Sequence, residues 1–166
     1  MAEATALALN EEEALCELRH VDKEFPQGKG PPLRVLEDVS ISVRRNEVVA
    51  LLGPSGCGKS TILRILAGLT EPTRGQVMYH SAPLPGLNPG IGFVFQSFAL
   101  YPWMTVSQNV EAVLRAKGLG PEEVAERAGR AIRTVGLGGF EEAYPRELSG
   151  GMKQRVGMAR AFSLDP

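Results

Sequence analysis

Val48-Val49-Ala50-Leu51-Leu52-Gly53-Pro54-Ser55-Gly56-Cys57-Gly58-Lys59-Ser60-Thr61 is the stretch on which the fold of this 166-residue chain turns. Its first five residues are apolar at every position, which suits a parallel strand covered on both faces. Gly53 to Ser60 then matches G-x-x-x-x-G-K-[ST]. From Lys59 onward Ile62, Leu63, Ile65, Leu66 and Leu69 supply the apolar surface of a helix, with Gly68 placed to end it. A glycine-built turn between a buried strand and a helix start is a phosphate cradle. Its glycines let successive N–H groups point inward, and the helix N-terminus adds partial positive charge at the same spot. Lys59 is positioned to bring a cation to the β- and γ-phosphates, and the Ser60 hydroxyl to ligate Mg²⁺. Chance would give this pattern in roughly 0.6% of chains of this composition, before the strand and helix are required.

Upstream, Ala14 to Val21 reads as a strand, Pro26 to Pro32 as turns, and Val39, Ile41 and Val43 as a period-2 strand with one buried face. Downstream, Gln76 to His80 is a short strand and Ile91 to Phe95 a second buried one. The texture then becomes helical. Thr105 caps one helix with Gln108 three residues on, and Gly118 follows near its end. Pro121 opens the next, whose stripe of Val124, Ala128, Ala131, Ile132 and Val135 stops at Gly136. Ser149 caps a last helix carrying Met152, Val156 and Ala159.

The start of that last helix, Leu148-Ser149-Gly150-Gly151-Met152-Lys153-Gln154-Arg155, is a second ready-made anion site. Alone it reads equally as a helix cap. About ninety residues after a phosphate loop, it resembles the LSGGQ signature of the ATP-binding-cassette (ABC) family, which this pairing defines. Gln96, ending the Ile91–Phe95 segment, is similar to the family's Q-loop glutamine, which reaches Mg²⁺ and the attacking water. Phe25, before the turn-rich stretch, resembles the aromatic that stacks on adenine; a half-buried strand-end Phe fits the same position. Phe95-Gln96-Ser97-Phe98-Ala99-Leu100-Tyr101-Pro102-Trp103-Met104-Thr105-Val106 looks like the nitrate/sulfonate/taurine (also bicarbonate) importer branch, where Pro-Trp follows the Q-loop.

The resemblance covers Ala14 to Pro166 and implies an α/β P-loop NTPase core with an N-terminal antiparallel β subdomain and a helical signature subdomain. The implied division is a disordered tail at 1–13, a nucleotide-binding part at 14–96 and a helical part at 97–166. It implies ATP and Mg²⁺ as cofactors. Phe25, Gly53, Pro54, Ser55, Gly56, Cys57, Gly58, Lys59, Ser60 and Thr61 would bind nucleotide in one copy, and Ser149, Gly150 and Gly151 in the partner copy. Lys59 and Gln96 take catalytic roles, and Ser60 and Gln96 hold the metal. It further implies a homodimer of ATP-binding subunits, a transmembrane permease docked at 98–110, an indirect periplasmic binding protein, and a place on the inner face of the membrane. Trp103 fits either that interface or packing between subdomains.

One part of the family pattern is missing. No run of four apolar residues followed by Asp-Glu occurs in the sequence, which reaches Asp165-Pro166 without the family's Walker B strand, D-loop or switch histidine. The expectation is a domain incomplete at its C-terminus that binds nucleotide weakly and hydrolyses it little. The alternatives are an inactive ATP-binding fragment and a non-transport ABC ATPase.

Composition sets outer bounds. With 18 Lys+Arg against 19 Asp+Glu and a net charge of −1, the chain lacks the basic excess of a dedicated nucleic-acid binder. Glu3 and the run Glu11 to Glu13 exclude a signal-peptide pattern, and five aliphatic residues in a row cannot span a bilayer. Two cysteines make no disulfide framework; Cys57 has no base nearby, and His20 and His80 stand alone. Lys153, Arg155 and Arg160 form a basic face on the last helix that reads as solvated or interfacial.

Overall fold

The computed structural model describes residues 14–28 and 30–166, so the tail expected over 1–13 lies outside the described residues. The chain forms one unit ending at Asn88 and a second over Pro89–Pro166.

The first unit is built on β1 (Ala14–Phe25), which pairs antiparallel with β2 (Leu33–Arg44) on one side and β3 (Arg74–Tyr79) on the other. A two-residue β4 (Ala82–Pro83) completes the order β2-β1-β3-β4. The central strand buries Cys16, Leu18 and Val21, and the step from even to odd numbers marks a bulge at His20. There His20 takes φ 50° and donates its amide to Ser40 Oγ, while Asp38 opposite takes φ 46° and donates its own to Asp22 Oδ1. Gly75 crosses this bulge at φ 84°; a Cβ there would lie 2.3 Å from the His20 carbonyl oxygen, so only glycine fits. His20, isolated in the sequence, pairs its Nδ1 with Asp38 Oδ1 at 2.7 Å.

Helix α1 (Lys59–Leu66) buries Ile62, Ile65 and Leu66. Leu63 and Leu69, expected on that apolar surface, are instead exposed: Leu63 lies about 100° round the helix from Ile62, and Leu69 follows the end of the helix, beyond the left-handed turn at Gly68. Gly68, at φ 71°, ends the helix as expected. Buried Asn88 fastens that end, donating from its backbone to Ala67 O and from Nδ2 to Leu66 O. Burial, with Glu17 adding to it, pushes the Cys16 thiol up from its ordinary value, which keeps it protonated and inert.

The two parallel strands expected at Val48–Leu52 and Ile91–Phe95 are not formed. Val48 is 96% exposed and Leu52 92%, and Val94 is exposed as well. The reason is pairing. A strand covered on both faces exists only within a ladder of hydrogen bonds, and no described residue supplies one to either segment.

The second unit packs three helices, α2 (Val106–Ala116), α3 (Pro121–Thr134) and α4 (Gly150–Ser163). Its core joins Val110 and Leu114 of α2, Val124 and Ile132 of α3, and Val156 and Ala159 of α4, with Leu137 and Leu148 from the connections. The cap signals hold. Thr105 and Gln108 form a reciprocal capping box, Pro121 opens α3, and Gly136 follows its end at φ 69°. Arg155, exposed on α4, donates to the carbonyls of Val135 and Gly136 and so closes the end of α3.

Candidate functional site

In the first unit, Gly53, Gly56 and Gly58 take φ 156°, 82° and 95°, conformations that side-chain-bearing residues rarely adopt. Gly58 is the N-cap of α1, and a Cβ on it would meet Leu36 Cδ2 at 2.7 Å, so the loop rests directly on β2. At Gly56 the space beyond the backbone is open. No acidic residue occupies the first turn of α1, and the amides of Lys59 and Ser60 open the helix ahead of its first intrahelical acceptor. Lys59 Nζ donates to the carbonyls of Gly53 and Pro54, both at 2.7 Å, so its cation is folded across the loop mouth. Open backbone, a helix start and one mobile ammonium are a set made for a polyphosphate. Cys57 is exposed beside Lys59, with its sulfur 3.6 Å from Nζ.

Phe25 sits at the end of β1 in the same unit, opposite Leu33, 38% exposed and with Lys23 Nζ 4.9 Å above its ring. An aromatic face at a strand end suits stacking against a planar base.

Gln96 and the Ser149 tip belong to the second unit. Gln96 is exposed at the start of a turn closed by the Phe98 amide on Phe95 O. Ser149 is the N-cap of α4 and accepts from the Met152 amide at 3.3 Å; Gly150 and Gly151 are exposed, with nothing within 4 Å of where a Cβ would stand. The helix start therefore presents bare backbone. Replacing Ser149 by alanine should cost about 1 kcal/mol of stability through the lost cap, read as a fall in the urea midpoint. An unchanged midpoint would show that the cap bond contributes nothing.

Ser60 carries a hydroxyl and Gln96 an amide oxygen, each an oxygen of the type hard cations take, and the two residues belong to different units. Among the described residues no group of three or more His, Cys, Asp or Glu is placed to hold a metal.

Two residues outside the motifs shape the second unit. Asn109, fully buried, accepts from the Tyr101 amide and donates to the carbonyls of Tyr101, Met104 and Thr105. It falls three residues after Val106 in the stripe Val106, Val110, Leu114, and a polar residue inside an apolar stripe was the signal available for it. Arg160 Nη1 donates to Ala99 O at 2.6 Å.

A glycine cradle opening a helix defines the class, a phosphate-loop nucleotide-binding fold. The profile of the ABC transporter family matches residues 36–166, and the chain belongs to that family. It is 50% identical over 134 residues to a taurine import ATP-binding protein (TauB) of Burkholderia thailandensis, covering 81% of this chain and 52% of the relative. A nitrate import ATP-binding protein (NrtD) of Synechocystis sp. is 44% identical over 139 residues, covering 84% and 52%. An Fe(3+) ions import ATP-binding protein (FbpC) of Rhizobium etli is 46% identical over 134 residues, covering 79% and 38%. Among solved structures, the dimeric bacterial ABC transporter cassette MJ0796 superposes with a TM-score of 0.81 at 35% identity, covering 91% of this chain and 70% of that one. The same cassette is described as a dimer in a post-hydrolysis state bound to ADP and Pi. The chain spans about half the length of the curated import proteins named above, or less. Among the described residues no helix is long and apolar enough to cross a membrane.

Proposed function

We propose that this chain is the ATP-binding part of the subunit that energises an ABC importer, with nitrate, a sulfonate, taurine or a similar anion as the transported solute. The observation that carries the reading is the Gly53–Thr61 loop, with its glycines at positive φ, its Lys59 ammonium across the mouth and an acid-free helix start behind it. Names of relatives support the importer assignment, and their mixture of taurine, nitrate and Fe(3+) leaves the anion resting on the Pro102-Trp103 resemblance.

Mg-ATP, when bound, supplies a γ-phosphoryl group whose hydrolysis releases the free energy for transport. The chain's own residues do the gripping. Lys59 exchanges its two carbonyl partners for phosphate oxygens, a trade that favours the ionic partner. Ser60 and Gln96 offer oxygens to the metal, and Gln96 also orients water. Phe25 stacks on the base, worth about 1–3 kcal/mol. Ser149, Gly150 and Gly151 present helix-start amides to the nucleotide of a second copy, so that each copy gives both halves of a symmetric pair. Residues 14–96 provide the nucleotide-binding part and 97–166 the helical part. The uncharged segment 98–110, which exposes Tyr101 and Trp103, docks a membrane permease, which places the subunit on the inner membrane face, with a periplasmic binding protein as indirect partner.

A second reading concerns this chain by itself. With no apolar run ending in Asp-Glu to supply a water-polarising carboxylate, it binds nucleotide and hydrolyses it little. Phosphate release by the 166-residue protein at saturating Mg-ATP should stay at the no-enzyme background while nucleotide titration shows binding. Turnover equal to that of a complete importer ATPase overturns this second reading and leaves the first intact.

A further inference from the structure

We propose that Arg160 is a positioning residue that straps the helix beginning at Ser149 to the aromatic loop at Tyr101–Trp103, making helix and loop one mechanical piece. The loop has no charge of its own, since residues 96–109 contain no Asp, Glu, Lys or Arg. Its cation comes from α4. Arg160 Nη1 donates to Ala99 O at 2.6 Å, and the same guanidinium lies 5.3 Å from the centre of the Tyr101 ring, which in turn stands 5.8 Å from Trp103. A planar guanidinium can hold a carbonyl and a ring face together, which an ammonium does less well.

The backbone it grips is held in an unfavourable shape. Phe98 and Ala99 both take left-handed φ, 62° and 47°, a conformation that costs a side-chain-bearing residue energy and persists only where surrounding contacts enforce it. Three residues earlier on the same face of α4, Gly157 lets this segment lie close, as a Cβ there would touch Val94 Cγ1 at 3.5 Å and Phe98 O at 3.9 Å. Asn109 fastens the far side of the loop to α2. Trp103, 69% exposed, is thus presented by a loop anchored at both ends. Along α4, Gly150 and Arg160 are ten residues apart, about 15 Å of straight helix. A displacement of the tip therefore reaches the loop through Arg160.

This rests on the reading that the loop docks a permease, and the test separates the two. Trp103 is the only tryptophan in the chain, so its fluorescence reports the loop alone. In the 166-residue protein, Arg160→Met should increase the fast nanosecond depolarisation of Trp103 about twofold, as a strapped loop becomes a free one, with helical circular dichroism unchanged. Arg160→Lys, which keeps the charge and the stem, should restore part of the ordering; if Arg160→Met does not fold, Arg160→Lys is read instead and should still show increased depolarisation. Trp103 anisotropy equal to wild type in the folded variant overturns the proposal. Docking is read separately, by whether Trp103→Glu abolishes co-purification of the complete subunit with its permease. Retained co-purification refutes the docking reading, and the anisotropy result still decides the strap.

Discussion

Changing Lys59 to alanine is expected to weaken binding of a fluorescent ATP analogue by about 10–100-fold, the effect of losing one charge-assisted contact of about 1.5–3 kcal/mol. The expectation follows from what surrounds the ammonium. Nζ already holds two carbonyls, Gly53 O and Pro54 O, at 2.7 Å each, so it lies at the mouth of the loop before any phosphate arrives. Alanine therefore removes the cation and also a brace between the two ends of the turn. Helix-start amides of Lys59 and Ser60 remain, which is why the loss is partial. Lys59→Arg separates the two contributions, since it keeps the charge but carries a bulkier head past Cys57. It should bind better than Lys59→Ala and worse than wild type. A titration of Lys59→Ala superimposable on wild type would remove the basis for assigning nucleotide binding to this loop.

That site was legible in the sequence because its determinants are local. Gly58 as helix cap, Lys59 as first helical residue, Thr105 with Gln108, Pro121 and Ser149 each act within one turn of their own position, so a pattern of a few residues specifies them. The strands at 48–52 and 91–95 were not legible in the same way. Val48-Val49-Ala50-Leu51-Leu52 states a preference for double burial, and satisfying it requires ladder partners that no described residue provides. Leu63 is exposed because the helix angle turns it off the Ile62 face, whereas Leu69 has the right i+7 spacing and is lost to that face because the helix has already ended before Gly68. Arg155 and Arg160 were legible only as a basic face. Their acceptors, the end of α3 and Ala99 O, lie 19 or more positions away, beyond the reach of any local pattern.

Asn109→Leu should destabilise the second unit by about 3 kcal/mol, three times the cost expected for the Ser149 cap. The size comes from which of its four partners have other bonds. Tyr101 O also accepts from the Met104 amide, and Thr105 O from the amide of residue 109 itself, so both stay satisfied after substitution. The Tyr101 amide and Met104 O have no other protein partner among the described residues, and both bonds are part-buried, so leaving each group unpaired costs an amount in the lower half of about 1–3 kcal/mol. Leucine is close in size and apolar, so the stripe of Val106, Val110 and Leu114 gains a compatible neighbour; the penalty therefore reads the loop and not a cavity. Asn109→Asp keeps an acceptor for the Tyr101 amide but offers its carbonyl partners no donor, and buries a charge besides. It should be at least as damaging. Urea unfolding followed by Trp103 fluorescence measures the unit that contains both residues. A Leu variant within about 0.5 kcal/mol of wild type, the range of an ordinary surface change, would mean that water replaces Asn109 at both groups. The loop would then owe its shape to the Arg160 side alone.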